Sequence, residues 1–225
     1  MIKKDFIIII GAFGSGKSEY AINLAKMLKK PDENVSLVDL DVVNPYFRSR
    51  DVRNIFQKEG IEVIAPESGY GFADLPMISP RVQGVIQDYD RVVILDVGGD
   101  PSGCKVLRRF EDSINERGYQ MRLVINTWRP FTSNINEIKE MKSDLEKISR
   151  LKVTELVCNA NLMELTSVDL IRDAISILKK ISIEESLIFR NFLVLNDKLK
   201  VYPDEIDEIK KIDLSYYLKK PWEKD

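Results

Sequence analysis

The chain has 225 residues, with 34 basic against 36 acidic side chains, a formal net charge of -2, two cysteines and no histidine. The missing histidine excludes Ser-His-Asp triads, Cys-His dyads and imidazole general bases. Two cysteines, Cys104 and Cys158, are too few for a structural zinc site or a disulfide framework. Acid–base work therefore falls to carboxylates, lysines or water, and electrophilic help to backbone N–H groups, Lys, Arg or a hard metal ion. The near-neutral charge sets up no global field for nucleic acid or anionic lipid, and no basic stripe stands out. The apolar run Phe6 to Ile10 is too short to span a bilayer or form a signal-peptide core. With no disulfide framework, a cytoplasmic location is expected.

Short β-branched runs alternate with longer amphipathic stretches, the pattern of βα units on a mostly parallel sheet. Phe6–Ile10 reads as a strand buried on both faces. A Gly-rich turn follows, then a helix from about Lys17 to Lys29, stopped before Pro31. Val35–Leu40 and Ile61–Ala65 read as strands, with a helix over Arg50–Glu59 between them, closed by Gly60. A helix beginning after Pro80 ends near Asp88, and Arg91–Val97 is the next strand. A helix is expected over Lys105–Glu116, ending at Gly118. Met121–Ile125 and Val153–Cys158 read as strands, and Asn134–Ser149 and Val168–Ile181 as helices. Ser186–Leu195 is expected to be a last strand. Asp204–Tyr217 is expected to be helical, with Ile206, Ile209 and Ile212 on one side. No repeat, low-complexity tract or linker interrupts residues 1–225, so one continuous α/β domain is expected.

Gly11-Ala12-Phe13-Gly14-Ser15-Gly16-Lys17-Ser18 fits the pattern G-x-x-x-x-G-K-S in full, with a strand before and a helix after. Glycines let successive backbone N–H groups curl around a phosphate without Cβ clashes. The helix that follows adds its positive N-terminal end. Lys17 can reach β- and γ-phosphates, and the Ser18 hydroxyl can take a magnesium coordination place. The nucleotide-binding candidates are therefore Gly11, Phe13, Gly14, Ser15, Gly16, Lys17, Ser18 and the adjoining Glu19. The competing interpretation is a Gly-rich turn that merely joins strand to helix.

Ligands of doubly wound sheets bind at the carboxyl ends of the strands, and two acidic clusters fall there. Asp39-Leu40-Asp41 ends the second strand. Asp96-Val97-Gly98-Gly99-Asp100 ends the strand beginning at Arg91. Asp96 follows four apolar residues, as a Walker B aspartate does, and would hold Mg²⁺ through water. Gly98 and Gly99 permit close backbone approach to a γ-phosphate. As an alternative, Asp39 and Asp41 are solvated turn caps.

The order of phosphate loop, Asp-x-Asp and Asp-x-x-Gly resembles the SIMIBI class of P-loop NTPases, and within it the MinD/ParA group and the nitrogenase iron protein. Asp96–Asp100 is similar to the iron protein's switch II, and Glu155–Asn159 to its late strand. The resemblance, over Asp5 to about Leu178, implies a three-layer α/β P-loop NTPase fold, a mostly parallel sheet with helices on both faces. It implies ATP and Mg²⁺ as ligands. It implies Asp41 as the residue that orients the attacking water, Asp96 as the switch II aspartate near magnesium, and Asn159, with Asn126 as a second candidate, as base contacts. Catalytic candidates are then Lys17, Asp41 and Asp96, and metal-holding candidates Ser18, Asp96 and Asp41.

The sequence also departs from these families. Ala12 stands where the MinD/ParA signature carries a lysine that acts across a dimer, so a homodimer is left open. The loop is similar to that of nickel-chaperone GTPases, but no Asn-Lys-x-Asp guanine motif is present. Asn126-Thr-Trp-Arg and Asn159-Ala-Asn-Leu both lack its acidic residue, which favours ATP over GTP. No cysteine pair matches the iron protein's cluster ligands, so no iron–sulfur cluster is expected, and Cys104 reads as a buried free thiol.

Asn44–Arg53, with Arg48, Arg50, Arg53, Tyr46 and Phe47, occupies the place of switch I, where this class meets its partner proteins. Glu67–Pro76 is a second loop rich in glycine and aromatics. The tail Tyr216–Trp222 is expected to dock on its own domain rather than on a membrane. Three functions fit: an ATPase whose cycle switches contact with a partner protein, a small-molecule kinase with Asp41 as base and an arginine holding the acceptor, and a nucleotide-binding switch with negligible turnover.

Overall fold

The computed structural model describes residues 4–41, 53–65, 79–196 and 201–217. The segments 44–52 and 67–76 singled out above, and the end of the tail, lie outside them. Nine strands form one sheet in the order β3-β2-β4-β1-β5-β6-β7-β9-β8: β1 Phe6–Ile10, β2 Val35–Asp39, β3 Ile61–Ile64, β4 Val92–Asp96, β5 Gln120–Ile125, β6 Glu155–Cys158, β7 Ile188–Leu195, β8 Glu205–Ile206 and β9 Ile209–Leu214. Every pairing is parallel except β8 with β9. The helices are α1 Lys17–Leu28, α2 Arg53–Lys58, α3 Arg81–Gln87, α4 Pro101–Lys105, α5 Glu111–Arg117, α6 Ile135–Ser149 and α7 Val168–Glu184.

β1 sits in the middle because all five of its residues are apolar and none is more than 3% exposed. Alternation sends its side chains to opposite layers. Ile7 and Ile9 join α1 and Phe56 of α2 on one face, while Phe6, Ile8 and Ile10 join the layer of α3 to α7 on the other. The result is the three-layer α/β arrangement. Tyr20, fully buried in α1, is tied to the sheet by Arg122 of β5, whose guanidinium donates to the phenol oxygen at 2.6 Å and pairs with Glu155 of β6 at 3.1 Å.

Two expectations are corrected. Residues 204–217 are not helical but form the β8–β9 hairpin, with Ile206 opposite Ile209. Isoleucines three apart satisfy a helical face and equally a hairpin closed by a two-residue turn. Asp207 and Glu208 make that turn at φ 48° and 67°, without the glycine or asparagine that would have marked it. The helix expected from Lys105 starts at Pro101, passes through a 3₁₀ turn over Val106–Phe110 and resumes as α5. Asp100 starts it early by accepting a hydrogen bond from Gly103 N at 2.6 Å, an N-cap.

Candidate functional site

β1 hands the chain to Gly11, and α1 begins six residues later at Lys17. The intervening loop is tightened by Ser15 N donating to Ala12 O at 3.1 Å. Gly16 sits at φ 86°, where a side chain is strained, and an added Cβ there would strike the amide nitrogen of Asn159. As the N-cap, Gly16 offers no side chain to the first N–H groups of α1, which are left for an external acceptor. Lys17, Ser18 and Glu19 are all buried, whereas Phe13 stands at the loop's tip, 69% exposed.

Parallel register gathers the acidic groups beside this loop. Asp39 of β2 is the register partner of Asp96 of β4, and Asp96 that of Ile9 of β1. Asp41 follows two residues on, its backbone N–H bonded to Asp39 Oδ1 at 3.0 Å. Asp96 is fully buried, and neither of its oxygens has a hydrogen-bond partner of normal geometry. Burial pushes its pKa up to about 6, against the pull of the Lys17 ammonium and the Ser18 hydroxyl; the nearby Asp41 adds to the rise.

The loop after β4 is packed directly on this cluster. A Cβ added to Gly99 would lie 2.9 Å from both Lys17 Nζ and Phe13 N, and one added to Gly98 would lie 3.3 Å from Asp41 Oδ1. The structure thus brings Lys17, Ser18, Asp41 and Asp96 together at the carboxyl ends of β1, β2 and β4. Cys104 lies beneath this loop, its Sγ 3.9 Å from Gly98 O, and burial pushes its thiol up to about 12.

Among the described residues no three His, Cys, Asp or Glu side chains stand together at metal-binding spacing. A cation here would draw on a hydroxyl, one or two carboxylates, water and a ligand's own oxygens. Mg²⁺ accepts such a set, since it binds through few protein ligands and keeps several waters. The bare, buried oxygens of Asp96 fit that role.

A cavity of about 390 Å³ opens from the phosphate loop toward β6, β7 and β9. Asn159, just past β6, donates from Nδ2 to Ser15 O at 2.6 Å, and its buried Oδ1 has no partner. Asn126, past β5, also lines the cavity, but its side chain brackets two loops: it donates to Asn161 O at 2.9 Å and accepts from Trp128 N at 3.1 Å. Arg129, Pro130, Asn161, Met163, Leu195, Leu214 and Tyr216 complete the lining, and none of them was a nucleotide-binding candidate from the sequence. Arg129 donates from Nε to Gly14 O at 3.2 Å. Their only common signal is position at or just past the carboxyl ends of β5, β6, β7 and β9.

No family model and no curated protein matches the chain. Solved structures do. It is similar to the cell division protein FtsY from Thermotoga maritima, at 21% identity and a TM-score of 0.51, with 85% of this chain and 62% of that chain covered. It is similar to FlhF complexed with GMPPNP and Mg²⁺, at 15% identity and a TM-score of 0.51, with 84% and 64% covered. A nucleotide-binding protein from Archaeoglobus fulgidus in complex with ADP matches at 14% identity and a TM-score of 0.51, with 86% and 82% covered. The chain thus spans about three fifths of the FtsY structure's length. The shared element is the fold, a three-layer α/β arrangement of the P-loop NTPase type.

Proposed function

We propose that this chain, as a single nucleotide-binding domain over 1–225, binds ATP with Mg²⁺, hydrolyses it, and uses the cycle to change its hold on a partner protein. The observation that carries this reading is the convergence of Lys17, Ser18, Asp41 and the bare, fully buried Asp96 on one phosphate loop. The N–H groups of 11–18 and of the first turn of α1 would cradle the phosphates. Ser18, Asp96 and Asp41 would hold Mg²⁺, which when bound neutralises charge on the phosphate oxygens. Asp41 orients the attacking water and receives its proton. Lys17 meets the charge that develops on the transferred phosphoryl group. Gly98 and Gly99, already packed on Asp41 and Lys17, carry the state of that group to α4.

ATP is favoured over GTP because Leu162, not a carboxylate, stands three residues after Asn159, where a guanine would be read. The order of the phosphate loop, Asp39–Asp41 and the Asp96 segment along the chain supports a MinD/ParA-like reading, whereas Ala12 stands where that group carries the lysine that acts across its dimer. No helix among the described residues is long and apolar enough to cross a membrane.

The test is turnover of Mg-ATP by the purified chain beside Lys17→Ala, Asp41→Asn and Asp96→Asn. Each variant is expected to lose about 10²-fold or more in kcat. Absence of ATP binding and turnover in the parent, or a Lys17→Ala variant that matches it, overturns the proposal. A preference for GTP overturns the base assignment.

A further inference from the structure

The end of β9 runs back over α1 instead of leaving the domain. Ser215 is held by a reciprocal pair: its N–H donates to Asn23 Oδ1 at 2.8 Å, and its carbonyl accepts from Asn23 Nδ2 at 2.9 Å. Two residues on, Tyr217 N donates to Glu19 Oε1. The Tyr217 ring lies 5.8 Å from that of Phe56 and has the Lys26 ammonium 4.9 Å from its centre. The strap is therefore pinned on both sides of Tyr216, and one pin, Glu19, adjoins Ser18 of the phosphate loop. Tyr216 is 45% exposed and lines the same cavity as Lys17 and Ser18. Beside it stand Leu195 and Leu214, register partners at the carboxyl ends of β7 and β9, with Met163 from the loop after β6.

We propose that this strap is part of the ligand site: Tyr216 and Leu214, with Leu195 and Met163, form an apolar slot that takes the face of a purine base. The inference rests on the nucleotide reading above. The phosphate end of the cavity is polar and cationic; the end built by β7 and β9 is apolar with an aromatic ring at its rim. A flat, hydrophobic, π-faced group joined to a polyphosphate matches both ends at once. Asn159 joins them, touching the phosphate loop through Nδ2 while its unpartnered Oδ1 remains for a donor on the ligand. Pinning at 215 and 217 fixes the backbone that carries the ring before the ligand arrives, which lowers the ordering entropy lost on binding.

The test compares two probes by calorimetry on the full chain: Mg-ADP, which carries a base, and Mg-tripolyphosphate, which does not. Tyr216→Ala is expected to weaken Mg-ADP about tenfold, the scale of one aromatic stack on a base, while leaving tripolyphosphate unchanged. Tyr216→Phe is expected to stay within about twofold of the parent for both probes, because it keeps the ring. Equal loss of both probes in Tyr216→Ala, or no loss of either, overturns the slot. A parent that binds tripolyphosphate as tightly as a non-hydrolysable ATP analogue, which carries the same three phosphates and a base, overturns the slot alone. A parent that binds neither overturns the nucleotide reading, and the slot with it.

Discussion

The side-chain amide of Asn159 donates to the backbone carbonyl of Ser15 at 2.6 Å, so the end of β6 is tied to the phosphate loop across 144 residues of sequence. The contact leaves room for no side chain on Gly16, whose added Cβ would strike the same amide nitrogen. One hydrogen bond thus ties the loop's curvature to the residue that follows β6.

Asn159→Ala removes that tie and leaves the buried Ser15 carbonyl without this donor. A loss of about 1–3 kcal/mol in unfolding free energy is expected, from the desolvation penalty of an unpaired group. Nucleotide affinity is expected to fall as well. Gly16→Ala displaces the same amide and is expected to mimic it. Denaturant melts of both variants check the stability change, and a variant as stable as the parent counts against the tie.

Asp96 makes stability depend on pH in the direction opposite to an ordinary salt-bridged carboxylate. Its pKa in the folded chain is about 6 against an ordinary value of 3.8, so the folded state holds the proton more tightly. Stability from this group is full below 3.8 and is lost as pH rises through about 6. The loss amounts to about 3 kcal/mol in chelator without nucleotide. Lys17, Ser18 and Asp41 face the same carboxyl and are included in that balance. Asp96→Asn is expected to remove the slope and to be more stable than the parent at neutral pH, while losing turnover. Chemical unfolding across pH checks this, and the same slope in the variant refutes it.

Gly98 and Gly103 approach each other backbone to backbone. A Cβ on Gly103 would lie 2.6 Å from Gly98 Cα and 2.9 Å from Asp100 Oδ1. Gly98 is met at its backbone, and Asp100 Oδ1 is held by its bond from Gly103 N, so the loop must shift. Gly103→Ala is expected to destabilise the chain by about 1–3 kcal/mol and to slow turnover, because the same loop packs on Lys17. Gly84→Ala is the control: nothing lies within 4 Å of its added Cβ, and its helical position is expected to gain rather than lose stability.

Cys104 and Cys158 are both buried, and burial pushes each thiol up to about 12. Neither is a thiolate at pH 8, and neither is accessible. Both are expected to resist a thiol reagent in the native chain and to react together after denaturation. Fast native reaction of Cys104 would mean that the Gly98 loop opens readily.

Much of the central fold was legible because its signals are local. Five apolar residues end at Ile10, six loop residues follow, and Lys17 starts the helix. Asn134 caps α6 by accepting from Glu137 N at 3.1 Å, and Gly118 closes α5 at φ 77°. The C-terminal hairpin was not legible, since Ile206 and Ile209 keep a helical spacing and the turn Asp207-Glu208 lacks the glycine or asparagine that marks a two-residue hairpin loop. Asn126 shows a similar limit: its type and place suit a base contact, yet its donor and acceptor are engaged with the neighbouring loops.

The sequence by itself determined the loop end of the cavity, because eight contiguous residues carry the glycines, the lysine and the hydroxyl of the G-x-x-x-x-G-K-S pattern. It also determined which carboxylates end β2 and β4. Tertiary structure alone decided the other end. Leu195, Leu214 and Tyr216 look like core and tail in the sequence, and nothing local distinguishes a leucine that faces a cavity from one that faces a helix. Parallel pairing of β7 with β9, and the bonds of Asn23 and Glu19 to the strap, bring them beside Lys17. That convergence is set by strand order and register, which no short stretch of residues specifies.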